Sequence, residues 1–248
     1  MNKMEINDES RIAMCDQFMS HSQCHSAPIT LHEKGQGNII DVVNNGTMGF
    51  IQPEKNGDII AITAYHVYEK LIKDNLFSCI NGFEFDMKNN LIAFSKALDI
   101  ATFKVKEKFV HKTGKKIIQN NLNKWPPPKP QIGKGCFFGG FPGHERRQNK
   151  ENINFGFCFI TSVIHSIDDT KITIHMDRSK FIKINGIPPV DYKFGGVSGA
   201  PLFLVYETPI LTMEFGGIIC EGESFGEDAI FFASPAWVIS PNGEIADI

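Results

Sequence analysis

The stretch Gly195-Gly196-Val197-Ser198-Gly199-Ala200-Pro201, followed by the apolar run Leu202-Phe203-Leu204-Val205, constrains this chain more than any other segment. Two glycines ahead of a lone serine permit a tight turn that aims successive backbone N–H groups at one point, and Gly199 leaves the far side uncrowded. Such a point is a candidate oxyanion hole, with the N–H groups of Gly196 and Ser198 as donors and the Ser198 hydroxyl beside them as nucleophile. A glycine-rich turn entering a strand accounts for the same residues equally well.

The catalytic reading requires a histidine base and an acid that orients it. All eight histidines, at 21, 25, 32, 66, 111, 144, 165 and 175, precede Ser198. That order excludes the serine, acid, histidine sequence of α/β-hydrolases, and Ala200 breaks their G-x-S-x-G turn. The apolar run 59–67 reads as a buried strand that delivers His66 at its end. Asp99 stands at the mouth of another apolar strand in the run 97–105, where a carboxylate is costly to bury unless hydrogen-bonded, and a histidine N–H would serve. A strand-end histidine with no chemical role is the plain alternative for His66.

The flanking segments predict mostly short strands. Residues 42–43 end at an Asn44-Asn45-Gly46 turn, 48–51 form a second strand, and Lys55-Asn56-Gly57-Asp58 marks a hairpin. Residues 76–80, 83–85 and 91–94 continue the pattern. A lysine-rich run and Trp125-Pro126-Pro127-Pro128-Lys129-Pro130 predict an extended, solvated connector. Beyond it, 135–143 begins a second β unit, 155–164 and 171–176 form a hairpin around Asp168-Asp169, and 231–239 supplies a last strand and short helix.

With 248 residues there is material for one large or two small domains. A net charge of -3 and a pI near 6.2 give no electrostatic case for nucleic acid or membrane as partner. The first 25 residues lack a basic, apolar, then small pattern, and six scattered cysteines show no close pairs. Reduced thiols and a cytoplasmic location are therefore expected. Cys15, His21, Cys24 and His25 match no familiar metal spacing, so a helical or mobile arm over 1–26 is expected and no metal.

Three short motifs stand in order: Thr63-Ala64-Tyr65-His66, Asp99-Ile100-Ala101 and Gly196-Val197-Ser198-Gly199-Ala200-Pro201. Over roughly residues 39–240 the chain resembles the chymotrypsin-like (trypsin-fold) serine proteases, closer to HtrA-type and other microbial members than to digestive ones. The resemblance implies an all-β protein of two six-stranded antiparallel β-barrels, 27–106 and 132–248, joined by a linker over 107–131, with the active site in the cleft between them. It implies a Ser198, His66, Asp99 triad, an oxyanion hole at Gly196 and Ser198, and hydrolysis of a protein or peptide substrate through an acyl-enzyme without a cofactor. Cys220, Glu221 and Gly222 would line the wall of the substrate pocket and Tyr192 its base. Val197 stands where zymogen-type relatives carry the aspartate that captures a new N-terminus, so activation by that ion pair is excluded. Either the loop folds competently in the uncut chain, or an activating protein partner orders it. A binding or scaffold protein with a closed cleft, and an esterase-type acyl transferase, are the alternatives from other classes.

Overall fold

The computed structural model of the chain describes residues 8–33, 42–119, 124–149, 152–177, 192–206, 211–225 and 228–246. The first half runs α1 (Asp8–His25), β1 (Ser26–His32), β2 (Val42–Ile51), β3 (Ile59–Thr63), α2 (Tyr65–Lys73), β4 (Phe77–Ile80), β5 (Phe83–Glu84), α3 (Met87–Asn90), β6 (Leu91–Ser95), β7 (Ile100–Val105) and α4 (Glu107–Lys112). The second runs β8 (Gly135–Gly140), β9 (Arg147–Asn149), β10 (Asn152–Asn154), β11 (Cys158–Ile167), β12 (Ile172–Asp177), β13 (Pro201–Tyr206), β14 (Thr212–Phe225) and β15 (Asp228–Pro235), ending in a 3-10 turn at Ala236–Val238. The protein is mostly β, and no helix among the described residues is long and apolar enough to cross a membrane.

One of the two expected barrels is present as such. Strands β11, β12, β15, β14, β13 and β8 close into a six-stranded antiparallel barrel. The first half instead forms a curled seven-stranded sheet in the order β5, β4, β1, β2, β3, β7, β6, whose end strands do not pair with each other. Helical residues occupy the core that this sheet curls around: Val67, Tyr68 and Leu71 of α2, Met87 of α3 and Val110 of α4 pack with Leu31, Phe50 and Phe103. With that apolar surface already covered, a further strand seam is not needed to bury it.

Alternation along each central strand explains why the chain reads as unbroken apolar runs. Ile59 and Ala61 of β3 enter the first core, whereas Ile60 and Ile62 point into a second cluster between the two sheets. Leu202 and Leu204 of β13 fill the barrel while Phe203 and Val205 face that same interface, and β8 divides Cys136 and Phe138 from Phe137 likewise. A strand buried on both faces loses the polar half of its period-two pattern. The interface cluster is what fixes one sheet against the other.

Several local expectations are corrected. The β3 strand stops at Thr63, and Tyr65 begins a helix whose buried Val67, Tyr68 and Leu71 lie on one face. Asn44, Asn45 and Gly46 do not turn but continue β2, opposite Leu31, Thr30 and Ile29 of β1. Gly46 is small there for contact, because a Cβ would come within 2.8 Å of the Val67 side chain. The connector is not simply solvated: it opens with α4, Ile118 bridges to Ile51, and Trp125 stacks on Phe215 with its indole N–H donating 2.6 Å to the Ile239 carbonyl.

From Asp8 to His25 the N-terminal arm is helical and docked. Phe18 of α1 stacks on Phe137 with ring centres 4.6 Å apart, and His21 and His25 lean on Phe203 at 4.7 and 5.7 Å. Burial, followed by the charges of His25 and Lys116, lowers the His21 pKa to about 4, so the helix docks with that imidazole neutral.

Candidate active site

His66 is the second residue of α2, held against the end of β3 by the buried helix face. Asp99 occupies the tight turn before β7 in a left-handed conformation, φ 49°, which aspartate tolerates better than most side chains. Its two oxygens grip one residue. Oδ1 accepts the His66 backbone N–H at 2.8 Å, and Oδ2 accepts the His66 Nδ1–H, also at 2.8 Å. The tautomer and ring orientation follow, leaving Nε2 as the free basic atom. The hydrogen bond to Asp99 raises the His66 pKa above its ordinary 6.5; burial opposes it, and the charges of Asp99, Glu221 and Glu69 add to it.

Both residues open onto a pocket of about 340 Å³ whose wall also includes Ser198 and Gly195. The predicted base, acid and nucleophile therefore share one cavity. No hydrogen bond joins Ser198 to the His66 ring in this structure, and serine–histidine contacts of this kind commonly tighten only when substrate binds.

The loop before Ser198 is held peptide by peptide. The Gly195 carbonyl accepts from Gly143 N–H at 2.8 Å, Val197 from Ala200 at 2.9 Å, and Ser198 from Thr47 at 2.9 Å. The Gly196 carbonyl accepts the Thr47 hydroxyl at 2.8 Å. All four carbonyls are thus occupied, whereas among the described residues no acceptor engages the N–H of Gly196 or of Ser198. In a trans peptide the N–H points opposite to the preceding carbonyl, so anchoring Gly195 and Val197 fixes both free donors. Gly196 and Gly199 adopt φ 103° and 90°, and a Cβ on Gly199 would land on the Thr47 carbonyl and Thr63 hydroxyl oxygens. The glycines are required by both conformation and space.

The expected wall residues Cys220, Glu221 and Gly222 line the pocket, whereas Tyr192, expected at its base, is not among the lining residues. Tyr192 is buried, its hydroxyl donating to Glu145 and its ring packed on His144 and Phe194. Phe194 also lines the pocket, and sequence reasoning passed over it because a single aromatic before a glycine pair carries no distinguishing pattern. Cys220 lies within reach of Ser234 Oγ at 3.0 Å, and burial pushes its thiol up to about 12. It is a wall atom rather than a reactive one.

Thr47 is the second residue missed. It lies in β2, fully buried, and its only legible sign was a small polar residue beside Asn45 and Gly46. Among the described residues no group of three or more His, Cys, Asp or Glu side chains is placed to hold a metal ion. No protein-family model matches the chain, and no curated protein matches it in sequence.

Proposed function

We propose that the chain is a serine endopeptidase that cleaves peptide bonds with Ser198 as nucleophile, His66 as base and Asp99 as the group that orients it. The scaffold is read as chymotrypsin-like, with the curled sheet in the place of the first barrel and the pocket in the cleft between the two halves. The observation that carries the reading is the two-point grip of Asp99 on His66 in the same cavity as Ser198. His66 Nε2 takes the Ser198 proton as the hydroxyl attacks the substrate carbonyl, and Asp99 stabilises the resulting imidazolium. The Gly196 and Ser198 N–H groups receive the developing oxyanion. Returning the proton to the leaving amine gives an acyl-enzyme, which water opens by the same steps.

The absent Ser198–His66 hydrogen bond favours one other reading, a pocket that binds peptide without turning it over. The deciding experiment incubates the protein with a mixed peptide library and follows new amino termini by mass spectrometry. Cleavage by wild type and none by Ser198→Ala or His66→Ala supports the peptidase. Peptide retention without cleavage supports the binding module, and release of acetate from simple esters alone supports an esterase.

A further inference from the structure

Val197 cannot form the ion pair that orders the oxyanion loop in zymogen-type relatives, so something else must hold it. In this chain the Val197 side chain is buried in the barrel core beside Phe138, Phe194 and Leu202. That contact fixes the loop from below. From the other side, one residue of the first sheet spans it.

Thr47 presents three polar atoms to four partners. Its N–H donates to the Ser198 carbonyl at 2.9 Å and its hydroxyl to the Gly196 carbonyl at 2.8 Å, while the same hydroxyl oxygen accepts the Phe141 N–H at 3.2 Å. Its own carbonyl accepts the Thr63 hydroxyl at 2.6 Å, three residues before His66. Asn45, on the same strand, donates to the Phe141 carbonyl at 2.8 Å and crowds Gly196 so closely that no Cβ fits. The bonds from Thr47 hold the peptides after Gly196 and after Ser198; those from Gly143 and Ala200 hold the peptides after Gly195 and after Val197. Every peptide of the loop is therefore clamped, and half of the clamp comes from the opposite sheet.

We propose that Thr47 is a positioning residue for the oxyanion hole, a hydroxyl latch between the two halves that sets Gly196 and Ser198 in the uncut chain. The inference rests on the peptidase reading above. It places the ordering of the site in the docking of the two sheets rather than in a liberated N-terminus. Residue 26 supports this: it begins β1, which pairs with β2 on one side and β4 on the other, and its hydroxyl donates to the Gly139 carbonyl at 2.9 Å. An end generated there is tied into the sheet and is not free to reach the loop.

The test compares wild type, Thr47→Val and Thr47→Ser in reaction with a fluorophosphonate, in peptide turnover, and in binding of a peptide aldehyde, whose adduct oxygen needs the oxyanion donors. Thr47→Val keeps the branched shape and removes the hydroxyl. Its kcat should fall about tenfold to hundredfold, less than the 10²–10³ of losing a donor outright, with KM within about twofold. Aldehyde binding should weaken by a similar factor, and Thr47→Ser should restore both to within about threefold. A general loss of structure would instead lower the folded fraction and leave kcat per labelled site unchanged, which active-site titration reads. Should Thr47→Val fail to fold, the wild type still decides: fluorophosphonate adducts should carry the full chain mass, and adducts only on N-terminally shortened chains overturn the inference. Unchanged kcat and aldehyde affinity in a folded Thr47→Val overturn it as well. No labelling of folded wild type at all removes the peptidase reading itself, a distinguishable outcome.

Discussion

Replacing Asp99 by Asn tests the triad geometry with little change in volume. Asparagine is among the few side chains at ease at φ 49°, so the turn before β7 should persist. The outcome is set by the second hydrogen bond. The His66 backbone N–H is an obligatory donor, held at 2.8 Å by Oδ1, so the amide carbonyl must take that place. The Asn NH₂ then faces His66 Nδ1, which has to accept, and the ring proton moves to Nε2. That is the atom that must receive the Ser198 proton. The wrong tautomer should cost about 10⁴ in kcat, or about 5 kcal/mol of transition-state stabilisation. The pH profile carries a second signature. Activity requires neutral His66 and rises with pH through its pKa, which Asp99 holds above 6.5 in the wild type. Removing the carboxylate should move the acid limb of kcat/KM downward. Steady-state rates on a fluorogenic peptide between pH 5 and 9, at about 0.1 M salt, measure both effects. Asp99→Asn with more than a tenth of wild-type kcat and an unmoved acid limb would refute the reasoning.

Other consequences are independent of that pair. Glu221 faces the pocket and is one of the charges raising the His66 pKa, so Glu221→Gln should lower the acid limb of kcat/KM in the same steady-state assay. The six cysteines are free thiols, and burial pushes those of Cys158 and Cys220 up to about 12 and of Cys136 higher still. Iodoacetamide on the native protein should therefore spare these three, reach Cys15 and Cys24 first, and leave peptide turnover intact; mass mapping checks it. His21 is depressed to about 4 in the fold, so the unfolded chain binds the extra proton between about pH 6.5 and 4. Its stability contribution is complete above about 6.5 and is lost as pH falls through that window; melting temperatures should drop accordingly, and His21→Gln should flatten the drop. Phe18→Ala, which removes the ring stacked on Phe137, should cost about 3–5 kcal/mol in urea unfolding.

What could be read from sequence and what could not divide along physical lines. That His66, Asp99 and Ser198 come together in one pocket was legible because each stands out in its local setting: a histidine after a buried strand, an acid at a strand mouth, a serine among glycines. The helix carrying His66 was not, because Ile59 to Thr63 is apolar on both faces and Val67 prolongs the same apolar run past the strand's end. Thr47 was invisible for a different reason. Its partner Gly196 lies 149 residues away, and a single threonine acquires meaning only from the register that lays β2 against that loop. Tyr192 is not among the residues lining the pocket; its hydroxyl is committed to Glu145, which no local pattern announces. The curled first sheet was misjudged as a barrel because helices α2, α3 and α4 supply apolar surface that strand counting ignores.

The central claim, that Ser198 is an activated nucleophile, is tested most directly by fluorophosphonate labelling followed by peptide mapping of the adduct. The account predicts a single phosphonylated residue, Ser198, in the folded wild type, formed at a rate that rises with pH through the raised His66 pKa and that vanishes in His66→Ala. An adduct on another serine, or labelling of Ser198 that is unaffected by loss of His66, would contradict it.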